Sequence, residues 1–81
     1  MTESINYVPL SRLPLGVTAT ITDICDSDVS TRLRELGFLA GEAVECVCRS
    51  PLGGMRAYRV SQSITALRDG DAELITAAYE G

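Results

Sequence analysis

The hydrophobic positions change period along this chain, and each change marks an element. Between Val17 and Asp23, Val17, Ala19 and Ile21 alternate with Thr18, Thr20 and Thr22, the period-2 pattern of a half-buried strand. Ahead of it, Pro9 to Gly16 holds two prolines and a glycine, which fits one short helical turn and a reversal. Val29, Leu33 and Leu36 then fall at i, i+4 and i+7 with Arg32, Arg34 and Glu35 off the stripe, predicting a short amphipathic helix. Ser27 or Asp28 can cap its first turn. Gly37 suits the left-handed position after its end, which would return Phe38 against Leu33.

Leu39-Ala40-Gly41-Glu42 fits a type II turn, with Gly41 where φ must be positive. Ala43 to Arg49, rich in Val and Cys, reads as a strand closed by the loop Pro51 to Gly54. Met55 to Val60 and Ser63 to Leu67 are further strands of an antiparallel meander. Asp69 to Ala72 makes a turn or a single helical turn. Glu73 to Tyr79 fits a strand or a short helix. A lone terminal helix of about seven residues is marginal, and the other strands need an edge partner, so a strand is expected. The architecture implied is mainly β: a small, SH3-like, partly open antiparallel barrel of about five strands with one short inserted α-helix. Residues 1–8 are expected to be an N-terminal extension and 9–79 the single domain.

Length and composition narrow what such a domain can do. Eighty-one residues leave no room for a second domain or a deep cleft. All seven basic residues are Arg and are outnumbered by eleven Asp and Glu, for a net charge of −4, which argues against nucleic acid as a partner. No apolar run approaches the ~18 residues of a membrane span and the N-terminus lacks signal-peptide features, so a cytoplasmic protein without direct membrane insertion is expected. Catalytic motifs are missing too. The chain has no histidine and no P-loop, nucleophile elbow or dinucleotide fingerprint, so an enzyme is not expected, nor is a cofactor.

Cys46 and Cys48, with Cys25 as a third thiolate, are the sharpest metal or redox candidates. On a regular strand Cys46 and Cys48 would share one face with Cα atoms ~6.6 Å apart, too far for a disulfide and short of a fourth ligand for zinc. Cys46 instead continues the buried face begun by Val44. The acidic clusters at 26–28 and 69–73 read as helix-capping and turn residues, since the second lacks the ligand set of a calcium loop. Leu52 and Met55 place large apolar side chains on an expected loop, which suggests a contact surface. Arg32, Arg34, Arg49, Arg56 and Arg59 would strengthen that surface if they converge on one side. An all-Arg composition is equally explained by genomic base composition.

Taken in order, Leu10-Ser11-Arg12-Leu13-Pro14-Leu15-Gly16, Arg32-Leu33-Arg34-Glu35-Leu36-Gly37-Phe38-Leu39 followed by Gly41, Arg49-Ser50-Pro51-Leu52-Gly53, and Ala66-Leu67-Arg68 leading to Ala72-Glu73-Leu74-Ile75 resemble the FeoA family. These are small cytosolic companions of the ferrous-iron transporter FeoB. The resemblance runs from about Pro9 to Ala78, and Gly16, Gly37, Gly41, Pro51 and Gly53 would be its structural positions. Two departures are Ala40, where the family often has Pro, and the cysteines at 46 and 48. The resemblance implies a non-enzymatic partner of a FeoB-type transporter, contacting its cytosolic GTP-hydrolysing portion. Phe38, Leu39, Leu52 and Met55 would dock there with Arg32 and Arg56 at the rim, although core packing competes as the role of Phe38. Two alternatives stay open: a metal-binding or thiol redox module using Cys25, Cys46 and Cys48, and a stand-alone SH3-like domain modulating an iron-dependent repressor. Strand edges also leave room for weak self-association.

Overall fold

The computed structural model describes residues 4–80. Its elements are β1 (Ile5–Pro9), a 3-10 turn (Leu10–Arg12), β2 (Thr18–Ile24), α1 (Ser30–Glu35), β3 (Ala43–Arg49), β4 (Met55–Val60), β5 (Ser63–Arg68), α2 (Asp69–Ala72) and β6 (Ile75–Glu80). All strand pairs are antiparallel, in the order β1-β6-β2-β3-β4-β5. β1 and β5 therefore remain as open edges. This is the mainly β, partly open, SH3-like arrangement expected, with one strand more than the approximate five. The added strand comes from residues 5–8, expected ahead of the domain; they pair with β6, while 1–3 lie outside the described residues.

The period-2 expectation for β2 holds until Ile21 and then breaks. A register shift between Ile21 and Asp23 inserts one residue. Beyond it Ile24 is buried and Asp23 is exposed. A bulge reverses which residues face the core. The short turn at Leu10–Arg12 closes with Leu13 N–H on the Leu10 carbonyl at 3.1 Å, and it delivers Leu10 and Leu13, both fully buried, to the centre of the core. There they meet Ile21, Leu33, Phe38, Val44, Tyr58, Val60 and Ile75.

α1 ends as its sequence requires. Gly37 takes φ +107°, its N–H reaches the Arg34 carbonyl at 3.0 Å, and Phe38 N–H reaches the Leu33 carbonyl at 3.1 Å, the paired bonds of a Schellman cap. The start of α1 differs from expectation. Asp28 caps nothing. Ser27 Oγ accepts from Val29 N–H at 3.3 Å, while Ser30 Oγ donates back to the Ser27 carbonyl at 2.9 Å. The type II turn forms as read, with Glu42 N–H on the Leu39 carbonyl at 3.0 Å and Gly41 at φ +92°.

Candidate functional site

The loop between β3 and β4 is built by local chemistry. Ser50, Pro51 and Gly53 occupy the first, second and fourth places of a turn, each favoured there, and Gly53 N–H closes it on the Ser50 carbonyl at 3.0 Å. Gly53 and Gly54 then run at φ +79° and +87°, and Ser50 N–H bonds the Met55 carbonyl at 3.0 Å. Leu52 occupies the third place and is 97% exposed. Among the described residues it is the most exposed of the large apolar side chains.

Two hollows adjoin this loop and share Met55. One, of about 450 Å³, lies between the loop and α2 and is lined by Arg49, Arg56 and Asp69. The other, of about 480 Å³, lies between α1 and β5, lined by Val29, Arg32, Leu36, Leu67, Arg68 and Asp71. Arg56 approaches Asp69 at 3.7 Å, with its Nη1 3.5 Å from the Leu13 carbonyl. Arg34 pairs with Asp26 at 3.3 Å and Arg59 with Glu45 at 2.9 Å. Among the described residues, Arg12, Arg32, Arg49 and Arg68 form no ion pair. The five arginines named from sequence thus divide: Arg32, Arg49 and Arg56 gather around Met55, whereas Arg59 lines a different hollow with Glu45 and Ser61 and Arg34 is engaged with Asp26.

The expected docking set divides as well. Phe38 is fully buried and meets Tyr58 edge-on, with ring centroids 6.4 Å apart at 85°; it is a core residue, because the Schellman cap turns it inward. Leu39 is 46% exposed but sits in the turn entering β3 at Ala43, while Leu52 follows the far end of β3. Seven residues of strand separate them by about 20 Å. Leu52 stands on the loop that walls one of the two adjoining hollows without lining either, whereas Met55, Arg32 and Arg56 do line them. Leu36 and Arg68 join them, which the helical stripe concealed for Leu36 by suggesting burial and nothing in the local pattern signalled for Arg68.

The thiols do not converge. Cys46 is fully buried, whereas Cys25 and Cys48 are exposed. Cys46 and Cys48 do not share a face as a regular strand would require. A second bulge shifts the register between them, so that Cys46 opposes Tyr58 and Cys48 opposes Ala57. Among the described residues no group of three or more His, Cys, Asp or Glu is placed to hold a metal ion. No helix is long and apolar enough to cross a membrane.

Residues 8–78 match the FeoA domain family. Among solved structures, FeoA from Stenotrophomonas maltophilia in complex with zinc, described as an SH3-domain protein and proposed there as a ferrous iron transport activating factor, is 34% identical. It superposes with a TM-score of 0.76 over 84% of this chain and 86% of that one. Iron(II) transport protein A from Clostridium thermocellum is 33% identical with a TM-score of 0.79, covering 84% of this chain and 43% of that chain. A manganese-dependent transcriptional repressor, 19% identical with a TM-score of 0.78 over 95% of this chain and 42% of that one, shares the fold. No curated protein sequence matches the chain. The family match across nearly the whole domain, the identity to the Stenotrophomonas protein and the SH3-like sheet together make this chain a member of the FeoA family, whose members are implicated in ferrous-iron transport.

Proposed function

We propose that this chain is a non-enzymatic, cytoplasmic accessory protein of ferrous-iron uptake that acts by docking on the cytosolic, GTP-hydrolysing portion of a FeoB-type transporter. The observation that carries this is Leu52, held in solvent by a tightly bonded turn whose flanking residues wall a hollow with Met55, Arg49 and Arg56. Met and Arg are enriched at protein interfaces, and a fully solvated Leu side chain gains by burial against a partner.

The test is association of the purified chain with the transporter's cytosolic portion, compared with Leu52→Asp and Met55→Asp. Leu52 contributes nothing to the core, so Leu52→Asp leaves folding intact by circular dichroism. Binding should weaken by at least about tenfold, on the order of 1.4 kcal/mol. Undiminished binding by a folded Leu52→Asp variant rejects the loop as the anchor.

A further inference from the structure

β5 is an edge strand whose one charged residue is Arg68 at its end. Edges are commonly blunted by lysine, proline or a bulge. Ser63–Arg68 contains neither residue and pairs with β4 in unbroken register. Its hydrogen-bonding parity is fixed from both ends. Ser61 and Gln62 form a two-residue turn with φ +50° and +65°, which makes Val60 and Ser63 a hydrogen-bonded pair. Beyond the other end, Asp69 N–H bonds the Gly54 carbonyl at 2.9 Å. Odd-numbered residues from 63 to 69 therefore direct their backbone toward β4, and Ile64, Ala66 and Arg68 direct N–H and C=O outward. Among the described residues no backbone group meets them.

The charge beside this edge points to what would pair with it. In a chain of net charge −4, three of the four arginines without an ion-pair partner, Arg32, Arg49 and Arg68, line the two hollows around Met55. Asp71 is the one carboxylate on the wall of the hollow between α1 and β5. A second copy of this chain would bring the same arginine-rich face and would supply little to neutralise it. An acidic segment would.

We infer that the free edge of β5 is a strand-addition site: an extended partner segment carrying carboxylates beside apolar residues joins the sheet as a seventh strand. Its backbone bonds to Ile64, Ala66 and Arg68, its carboxylates reach Arg32 and Arg68, and an apolar side chain enters the hollow against Leu36 and Met55. Main-chain bonds supply affinity and the flanking pockets supply selectivity in this mode of recognition. The inference rests on docking as the protein's function, and it specifies how that docking is made.

Backbone amide hydrogen exchange tests it with two probes, the transporter's cytosolic portion and a synthetic heptapeptide alternating valine and glutamate. Each should slow exchange at Ile64, Ala66 and Arg68 selectively, and a lysine-for-glutamate peptide should bind at least about tenfold more weakly. Ala66→Pro removes one outward N–H without touching the β4 ladder, a position where proline is tolerated. Folded by circular dichroism, it should weaken both probes by about tenfold. Binding of the transporter portion with these three amides unprotected overturns strand addition and leaves docking through the loop standing. Peptide binding that protects the three amides, without transporter binding, supports the edge site and rejects the transporter as its partner. Protection by neither probe overturns the inference. So does protection that grows with protein concentration alone, because a second copy would then occupy the edge.

Discussion

Tyr58 Oη donates a buried hydrogen bond to the Leu10 carbonyl at 2.8 Å, joining the middle of β4 to the 3-10 turn that follows β1. Forty-eight residues separate the two in sequence. The bond fixes the segment 10–13 against the sheet, and with it two of the largest buried side chains, Leu10 and Leu13.

Tyr58→Phe keeps the ring and its edge contact with Phe38 but removes this bond. The Leu10 carbonyl retains Leu13 N–H as a partner, so the loss is that of a bond and not of a fully orphaned acceptor. Stability should fall by about 0.5–1.5 kcal/mol, lowering the Tm by roughly 4–8 °C per kcal/mol in a domain of this size. An unchanged thermal melt would contradict the structural role assigned to the hydroxyl.

Alkaline stability follows from the same residue. Burial, reinforced by Cys46, pushes the Tyr58 phenol above its ordinary value of about 10 in the folded chain. The folded state then keeps a proton that the unfolded state releases. Tyr58 thus contributes its full share below pH ~10, and that share is lost as pH rises from there toward the raised folded value, by at most about 1.4 kcal/mol per pH unit. Melting of wild type and Tyr58→Phe across this range reads the effect, with the wild type declining more steeply above pH ~10. Parallel profiles would remove Tyr58 as the cause.

Glycine substitutions should separate strain from crowding. A Cβ on Gly37 would come within 2.9 Å of Ser61 Oγ and 3.1 Å of Ser61 Cβ, whereas one on Gly41 meets nothing within 4 Å. Both residues have positive φ. Gly41→Ala should therefore cost about 1–2 kcal/mol from backbone strain alone, and Gly37→Ala clearly more, because the hairpin turn at Ser61 must also yield. Equal losses in chemical denaturation would discount the contact between α1 and that turn.

Cysteine reactivity should follow the bulge in β3. Under native conditions an alkylating reagent should modify Cys25 and Cys48, which are exposed, and spare Cys46, which is fully buried; denaturant should expose the third site. Mass spectrometry of the labelled chain counts them directly. Native labelling of Cys46 at the rate of Cys48 would mean that β3 is regular and the register shift absent.

Where local chemistry was decisive, the sequence was sufficient. Gly37 and Gly41 occupy the conformations their turns demand, Ser50, Pro51 and Gly53 build the loop that exposes Leu52, and alternation marked β2 up to Ile21. The four ordered motifs of apolar and turn residues also carried the family, since each reflects a bond or packing contact between near neighbours. Chain neighbours could not reveal the bulges after Ile21 and Cys46. A one-residue insertion is a property of two paired strands, and it reversed the expected face of Cys48 and brought in Ile24 in place of Asp23. The turn at Ser61 and Gln62 is not legible in the sequence for a similar reason. Neither residue favours positive φ, and Ser61 Oγ is held by Glu42 at 3.1 Å from a distant turn.

The sequence by itself determined the class of fold, the turns at Gly37 and Gly41 and the exposed loop, because each depends on backbone preferences and patterns within a few residues. Only the tertiary structure decided that Phe38 belongs to the core and that Leu36, Met55 and Arg68 join Arg32 around one pair of hollows. It alone left β5 unpaired on its outer side. Those outcomes depend on strand order and register, which are set by contacts between segments far apart in the chain and leave no trace in either segment alone.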